Sequence, residues 1–270
     1  MSAHAGGPDR VRRGVWLFPG VAAGALVDAV VAAEELGLDE VWIADEGVSR
    51  EPVAVLAAAA TQTDKIRLAV GVTSPMLRHP GVIAAAMATL DELSDGRAVL
   101  GLGVGGHLSL SPFGLTVDKP VALLHDAIET ARDVFGGRDS DRYRVPAHAM
   151  PPRAVPIWVG ARGPQLVRTA ARCADGLFLS GCSPDQHEEI IEVAAAVRAI
   201  PVAVYQSAVD QPGSPSEQDW DAARTTLELA IGRHRPASIG LNLVGLAHAL
   251  PADPVALVER AAVLLHSLRP

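Results

Sequence analysis

Asp45 and Glu46 are the residues of this 270-residue chain best placed to handle a proton. They follow the apolar run Val41-Trp42-Ile43-Ala44, which reads as a strand, so both stand at its carboxyl end. Where such an end opens into a pocket, loss of water raises a carboxyl pKa towards the range useful for general acid catalysis. The ordinary alternative is a cap on the following helix or a pair with Arg50, and it falls more naturally on Glu46. His79 precedes Pro80 and reads as a helix cap. His107 follows a glycine run and either lines the pocket or sits on a surface loop. H-E-x-x-H, C-x-x-C, G-x-S-x-G and P-loop patterns are absent, so zinc, dithiol, serine-hydrolase and nucleoside-triphosphate chemistry have no support, and no metal is expected.

A second group of residues suits binding better than bond-breaking. Gly71-Val72-Thr73-Ser74, the stretch from Gly103 to His107, Gly160-Ala161-Arg162-Gly163 and Ser180-Gly181-Cys182-Ser183 all end apolar runs with small or hydroxyl side chains. Glycine there lets a flat ligand approach the backbone, because no Cβ stands in the way. The stretches ending at Pro164 and Pro184 also open helices, where unpaired N–H groups and the helix dipole attract an anion. Arg162 adds a charge-assisted contact on that reading. A plain capping role fits the spacing equally well.

These residues need a frame that brings strand ends together. Residues 66–106 parse as strand (66–72), helix opened by His79-Pro80 and closed at Gly96, and strand (98–102) breaking into glycines: a βαβ unit. Strands so uniformly apolar belong to parallel sheets covered on both faces. The same alternation recurs, with strands at 14–18, 40–44, 156–160, 176–179, 201–205 and 238–244 and helices between them. Pro52, Pro80, Pro120, Pro164, Pro184, Pro215 and Pro254 sit at or near helix starts, where a missing N–H costs nothing. Ser214-Pro215-Ser216-Glu217 has capping-box spacing. Eight such alternations with right-handed crossovers close most simply into an α/β (β/α)8 TIM barrel. An open doubly wound sheet is the rival, but the first strand lacks its G-x-G-x-x-G turn. Residues 138–156 form the longest irregular connection, expected to be a lid or surface insertion.

A flexible tail (1–12) and one barrel domain (13–270) are expected. The formal net charge of −8 argues against nucleic acid as a partner. No apolar leader or membrane-spanning run is evident, and Cys173 and Cys182 read as free thiols, so a cytoplasmic protein acting on a small molecule is expected. The alanine-rich helices after Pro52 and Pro80 can pack closely, either against each other or against a second subunit.

Five segments carry a resemblance: VWIADE (41–46), RLAVGVTSPMLRHP (67–80), LDELSDGRAVLGLGVG (90–105), PIWVGARGPQLVRTAARCADG (156–176) and VAVYQSAV (202–209). They are similar to the luciferase-like superfamily, above all its deazaflavin-dependent reductases of the 5,10-methylenetetrahydromethanopterin reductase type. The resemblance implies a luciferase-like barrel, a homodimer, and coenzyme F420 (a 5-deazaflavin) or FMN at the strand ends. It implies a non-prolyl cis peptide at Gly71–Val72 and ring contacts from Gly71, Val72, Thr73, Ser74, Gly103 and Val104. Gly160, Ala161, Arg162, Gly163, Ser180 and Cys182 would then hold the side chain and phosphate. It also implies hydride transfer between reduced deazaflavin and an imine, carbonyl or activated alkene, with Asp45 and Glu46 as the acid candidates. An FMN-dependent monooxygenase and a non-catalytic binding barrel are the alternatives. The chain departs from the pattern where the family carries Asp-His in place of Asp45-Glu46 and a carboxylate in place of Trp16, and it is shortened after Val209.

Overall fold

The computed structural model describes residues 10–138, 145–207, 216–243 and 253–269. Eight parallel strands close into a barrel in sequence order: β1 (Arg12–Leu17), β2 (Glu40–Ile43), β3 (Arg67–Thr73), β4 (Ala98–Leu102), β5 (Ile157–Gly160), β6 (Gly176–Ser180), β7 (Val202–Ser207) and β8 (Ser238–Asn242). Around it run α1 (Ala23–Glu35), α2 (Pro52–Ala60), α3 (Pro80–Leu93), α5 (Pro120–Phe135), α6 (Pro164–Cys173), α7 (Pro184–Ala195), α8 (Glu217–His234) and α9 (Pro254–Ser267), with the single-turn α4 (His107–Leu110) after β4. The (β/α)8 barrel expected from the alternation is therefore the fold, and the open sheet is excluded by the β1–β8 pairing. Among the described residues, no helix is long and apolar enough to cross a membrane.

Local chemistry explains the helix starts. Pro52, Pro80, Pro120, Pro164, Pro184 and Pro254 each begin their helix. His79 caps α3 as expected, its Nδ1 accepting from the Gly81 amide at 3.1 Å. The capping box of α8 lies later than the spacing suggested. Ser216 is the N-cap, with the Asp219 carboxylate accepting from the Ser216 amide at 2.7 Å, because Asp at the third helical position does the work expected of Glu217. Ser214 and Pro215 lie outside the described residues, as do parts of the 138–156 connection.

The core has two layers. The outward strand faces pack under the helices as one large aliphatic cluster that includes Val15, Ile43, Leu68, Leu100, Val159 and Leu241. The barrel bore holds a separate aromatic cluster of Trp42, Trp158, Phe178 and Tyr205, with Trp16 and Val72 packed on its upper side. Trp42 and Phe178 stack with centroids 4.3 Å apart, and Phe178 and Tyr205 at 5.0 Å.

Glycines in the strands make room for those rings. A Cβ on Gly71 would lie 2.3 Å from Trp42 Cε3, one on Gly176 2.7 Å from Trp158, and one on Gly240 2.2 Å from Tyr205 Cε1. Gly71, which suggested ligand approach, is thus a packing device of the bore, as are Gly176 and Gly240.

Below the rings sits Glu40, 1% exposed. Its carboxylate accepts from Arg12 Nε (3.0 Å), Arg67 Nη1 (3.1 Å), Trp42 Nε1 (3.0 Å), Tyr205 Oη (2.9 Å) and the Ser238 hydroxyl. Burial alone would raise its pKa, but the Arg67 and Arg12 guanidiniums and these donors outweigh it and hold the carboxyl below its usual range. Arg97, within the segment that carried the resemblance, is another buried tie. It donates to Ser94 O, Thr63 Oγ1, Ile66 O, Ala60 O and Thr63 O, closing the end of α2 onto the turn before β4.

Candidate functional site at the barrel mouth

The carboxyl ends of the strands meet at one rim, and the two acid candidates lie on it just past β2. Asp45 is buried and engaged: Thr73 Oγ1 donates to its Oδ2 at 2.6 Å, and Arg78 Nη2 stands 3.4 Å away while also pairing with Glu51 at 2.9 Å. Glu46 is half-buried, and no donor reaches it among the described residues. Burial first, and then the charge of Asp45, push its carboxyl up to about 7.

The pairing of Glu46 with Arg50 expected from sequence does not form, and neither acid caps α2. Glu51 does that, accepting from the Ala54 amide at 2.6 Å. Of the two adjacent carboxyls, one is fixed by a hydroxyl and a guanidinium and the other is free to hold a proton near neutral pH.

The peptide between Gly71 and Val72 is cis, as the resemblance implied, and β3 carries a bulge between Val70 and Thr73. The Trp16 indole N–H donates to the Gly71 carbonyl, so the position where relatives were expected to carry a carboxylate here clamps the bulge. Ser74 is buried and ties the loop to the end of β4, its hydroxyl donating to Val104 O at 3.1 Å and accepting from the Met76 amide at 3.1 Å. Thr73 and Ser74 thus point their hydroxyls at protein groups.

The rim glycines divide in two. Beside Gly103 and Gly160 the space a Cβ would take is filled by Val72, whose Cγ atoms would stand 2.7 and 3.0 Å away. These positions do not bare the backbone as the sequence suggested, and the half-exposed Val72 side chain presents the surface instead. A Cβ on Gly163 would meet nothing within 4 Å, so that backbone is open.

The two helix starts singled out as anion sites also differ. At α7, Ser183 accepts from the Gln186 amide (3.3 Å) and Gln186 Oε1 accepts from the Ser183 amide (2.9 Å), so its own side chains occupy that end. At α6 the N-cap is Gly163 and no side chain caps the first turn, which leaves its N–H groups available to a ligand. Arg162 lies exposed beside it, its Nη2 donating to Ser180 O at 2.8 Å. The side chains of Ala161 and Cys182 turn into the aliphatic core, so neither presents a side chain to the mouth. The Ser180 hydroxyl accepts from Asn242 Nδ2 at 2.7 Å.

Arg78, Asn242 and the indole of Trp16 are the mouth residues that sequence reasoning did not select. Arg78 stood inside the 67–80 segment that carried the resemblance, and Asn242 inside the strand expected over 238–244, which ends at Asn242 in the structure. Membership of that segment was the available signal for Arg78.

The chain is similar in sequence and in fold to known proteins. The 5,10-methylenetetrahydromethanopterin reductase of Archaeoglobus fulgidus is 33% identical over 165 residues, 59% of this chain and 50% of that protein. The F420-dependent glucose-6-phosphate dehydrogenase of Nakamurella multipartita is 34% identical over 186 residues, 62% of this chain and 55% of that protein. The chain therefore spans about half the length of the curated relatives it matches. Among solved structures, the coenzyme F420 dependent tetrahydromethanopterin reductase of Methanopyrus kandleri superposes with a TM-score of 0.73 at 20% identity, over 94% of this chain and 99% of that one. The monooxygenase RslO1 of Streptomyces bottropensis gives 0.73 at 23% identity, over 95% and 99%. The profile described as "Luciferase-like monooxygenase" matches residues 7–230, the stretch that builds the barrel through most of α8, and on that match the chain belongs to the luciferase-like monooxygenase family.

Proposed function

We propose that this chain is a coenzyme F420-dependent oxidoreductase that exchanges hydride with a small organic acceptor, an imine, carbonyl or activated alkene, and that Glu46 is its proton donor. The observation that carries the reading is the split between the paired acids: Glu46 keeps its proton to about pH 7, while Asp45 is held by Thr73 and Arg78. Reducing such a carbon consumes a hydride and a proton, and a carboxyl poised near neutrality is suited to give the second. The name of the F420-dependent glucose-6-phosphate dehydrogenase relative supports a deazaflavin as the hydride carrier.

The residues fit such a coenzyme in part. The open first turn of α6, with Gly163 and Arg162, suits an acidic tail. The Val72 side chain and the bulge clamped by Trp16 offer a firm apolar wall for a ring system. When bound, the coenzyme supplies the hydride chemistry at its ring carbon. The chain supplies the wall, the anion seat and the proton. Burial, and then the neighbouring Asp45, hold the Glu46 carboxyl up, which assigns the two acids distinct duties.

A homodimer through α2 and α3 belongs to the same reading. Val82 and Leu93 expose 56% and 51% of their surface on α3, and their spacing of about three turns puts them on one face.

Equilibrium titration of the purified chain with coenzyme F420 and with FMN tests the reading. Saturable binding of the deazaflavin, with hydride exchange to an acceptor panel that falls about 100-fold or more in Glu46→Gln, is the expected result. Binding of neither coenzyme overturns it. Binding of FMN alone, with oxygen consumption, transfers the assignment to the monooxygenase branch represented by the Streptomyces bottropensis structure.

A further inference from the structure

Away from the mouth, α5 and α6 bring together three side chains that bind metals. His125 and Glu129 lie one turn apart on α5 and so project from the same face. Cys173 ends α6 and reaches the same place from the adjacent helix. An imidazole nitrogen, a carboxylate oxygen and the thiol sulfur all lie within 4.8 Å of one another. In a tetrahedral zinc site, with bonds of about 2.0–2.3 Å, ligand atoms stand roughly 3.5 Å apart. Small side-chain rotations therefore close the set without moving a helix.

The surroundings favour a built site over a chance meeting. Arg132 donates Nε and Nη2 to the Cys173 carbonyl at 3.0 and 2.6 Å and reaches Asp175 at 3.0 Å, which fixes the end of α6 against α5. The Asp126 carboxylate lies 3.8 Å from His125 Nδ1, beyond hydrogen-bond distance, and adds negative charge beside the cluster. An open groove beside the cluster, lined by Lys119, Gln165 and Arg172 among others, gives access from solvent. Arg132, Arg172 and Arg198 oppose a cation near the thiol, but the first is engaged with Asp175, and Glu129 and Asp126 add two negative charges. Imidazole, carboxylate and thiolate together select a borderline ion of the zinc type over magnesium or calcium.

We propose that His125, Glu129 and Cys173 form a binding site for zinc or a similar divalent transition metal, with solvent as the fourth ligand, that braces α5 against α6. Motif spacing could not reveal it, because the thiol arrives from a different helix.

Titration of the purified chain with cobalt(II) and then zinc is the test. One equivalent of cobalt should bind with a thiolate-to-cobalt charge-transfer band, zinc should displace it, and zinc should raise the thermal midpoint. Cys173→Ser should abolish the band, and Cys173→Ser, His125→Ala and Glu129→Gln should each weaken zinc about 10-fold or more. Glu129 is solvent-exposed, so that last variant reads the site without disturbing packing. Absence of saturable cobalt binding, a band that persists in Cys173→Ser, or zinc affinity unchanged in all three variants overturns the assignment.

Discussion

Glu40 and Glu46 sit at opposite ends of β2, both withdrawn from water, and they behave in opposite ways. Glu40 faces two guanidiniums and three further donors, and its carboxyl is held below the usual range. Glu46 faces no donor among the described residues and has Asp45 for a neighbour, and its carboxyl rises to about 7. Burial raises both, so the difference lies wholly in the company each keeps. One end of the barrel is closed with satisfied charge and aromatic rings, and the other keeps an acid whose proton is exchangeable.

The largest effect should come from the closed end. Glu40→Gln leaves Arg12 and Arg67 partly buried without their counter-charge, and a loss of about 3 kcal/mol in denaturant unfolding is expected, the low end for a broken buried pair because both arginines are partly exposed. A loss well under 1 kcal/mol would show the network to be dispensable. Its pH signature follows from the lowered pKa: stabilisation by Glu40 is present above the ordinary 4.5 and is lost as pH falls through the folded-state value.

At the mouth the sign reverses. Because the folded chain holds the Glu46 proton longer than the unfolded chain, stability should decline as pH rises from about 4.5 through about 7. Glu46→Gln should flatten that decline while slowing proton-coupled turnover, and in the parent protein the reduction rate should fall above about pH 7. A pH profile identical in parent and variant would remove Glu46 from the reaction.

Glycine substitutions sharpen the same contrast at intermediate size. A Cβ on Gly101 would lie 2.4 Å from the Val70 carbonyl oxygen and 3.0 Å from Trp42, so Gly101→Ala should cost about 1–3 kcal/mol in thermal or chemical unfolding. Gly163→Ala meets no neighbour and should change stability by less than about 1 kcal/mol. If the first turn of α6 seats an acidic tail, the second variant weakens coenzyme binding at unchanged stability; equal affinity would move the seat elsewhere. Trp16→Phe, which removes one hydrogen bond to the Gly71 carbonyl, should cost about 1 kcal/mol in unfolding.

The barrel was legible because its signals are local and repeated: apolar strands, prolines at helix starts, glycine stops. Strand positions were read to within a residue or two, and the chain ends of β2 and β3 delivered Asp45, Glu46, Thr73 and Ser74 where expected. What stayed hidden depends on side chains from distant segments meeting. Gly71, Gly103 and Gly160 read as bare backbone for a ligand, yet Trp42 and Val72 occupy their missing Cβ positions, and nothing local to a glycine says which neighbour comes near. Glu46 read as the acid more suited to capping or pairing because its partnerless state is a property of the rim as a whole. The self-capping of α7 against the open start of α6 turns on two side chains, Ser183 and Gln186, where α6 has Gly163 and Leu166.

The chain has four tryptophans, of which Trp42 and Trp158 belong to the aromatic cluster in the bore and Trp16 packs against it at the mouth. Such a set is a built-in optical probe. Emission from Trp42 and Trp158 follows loosening of the interior, whereas Trp16, bonded to the very loop a coenzyme would touch, should respond to arrivals at the entrance without any added dye.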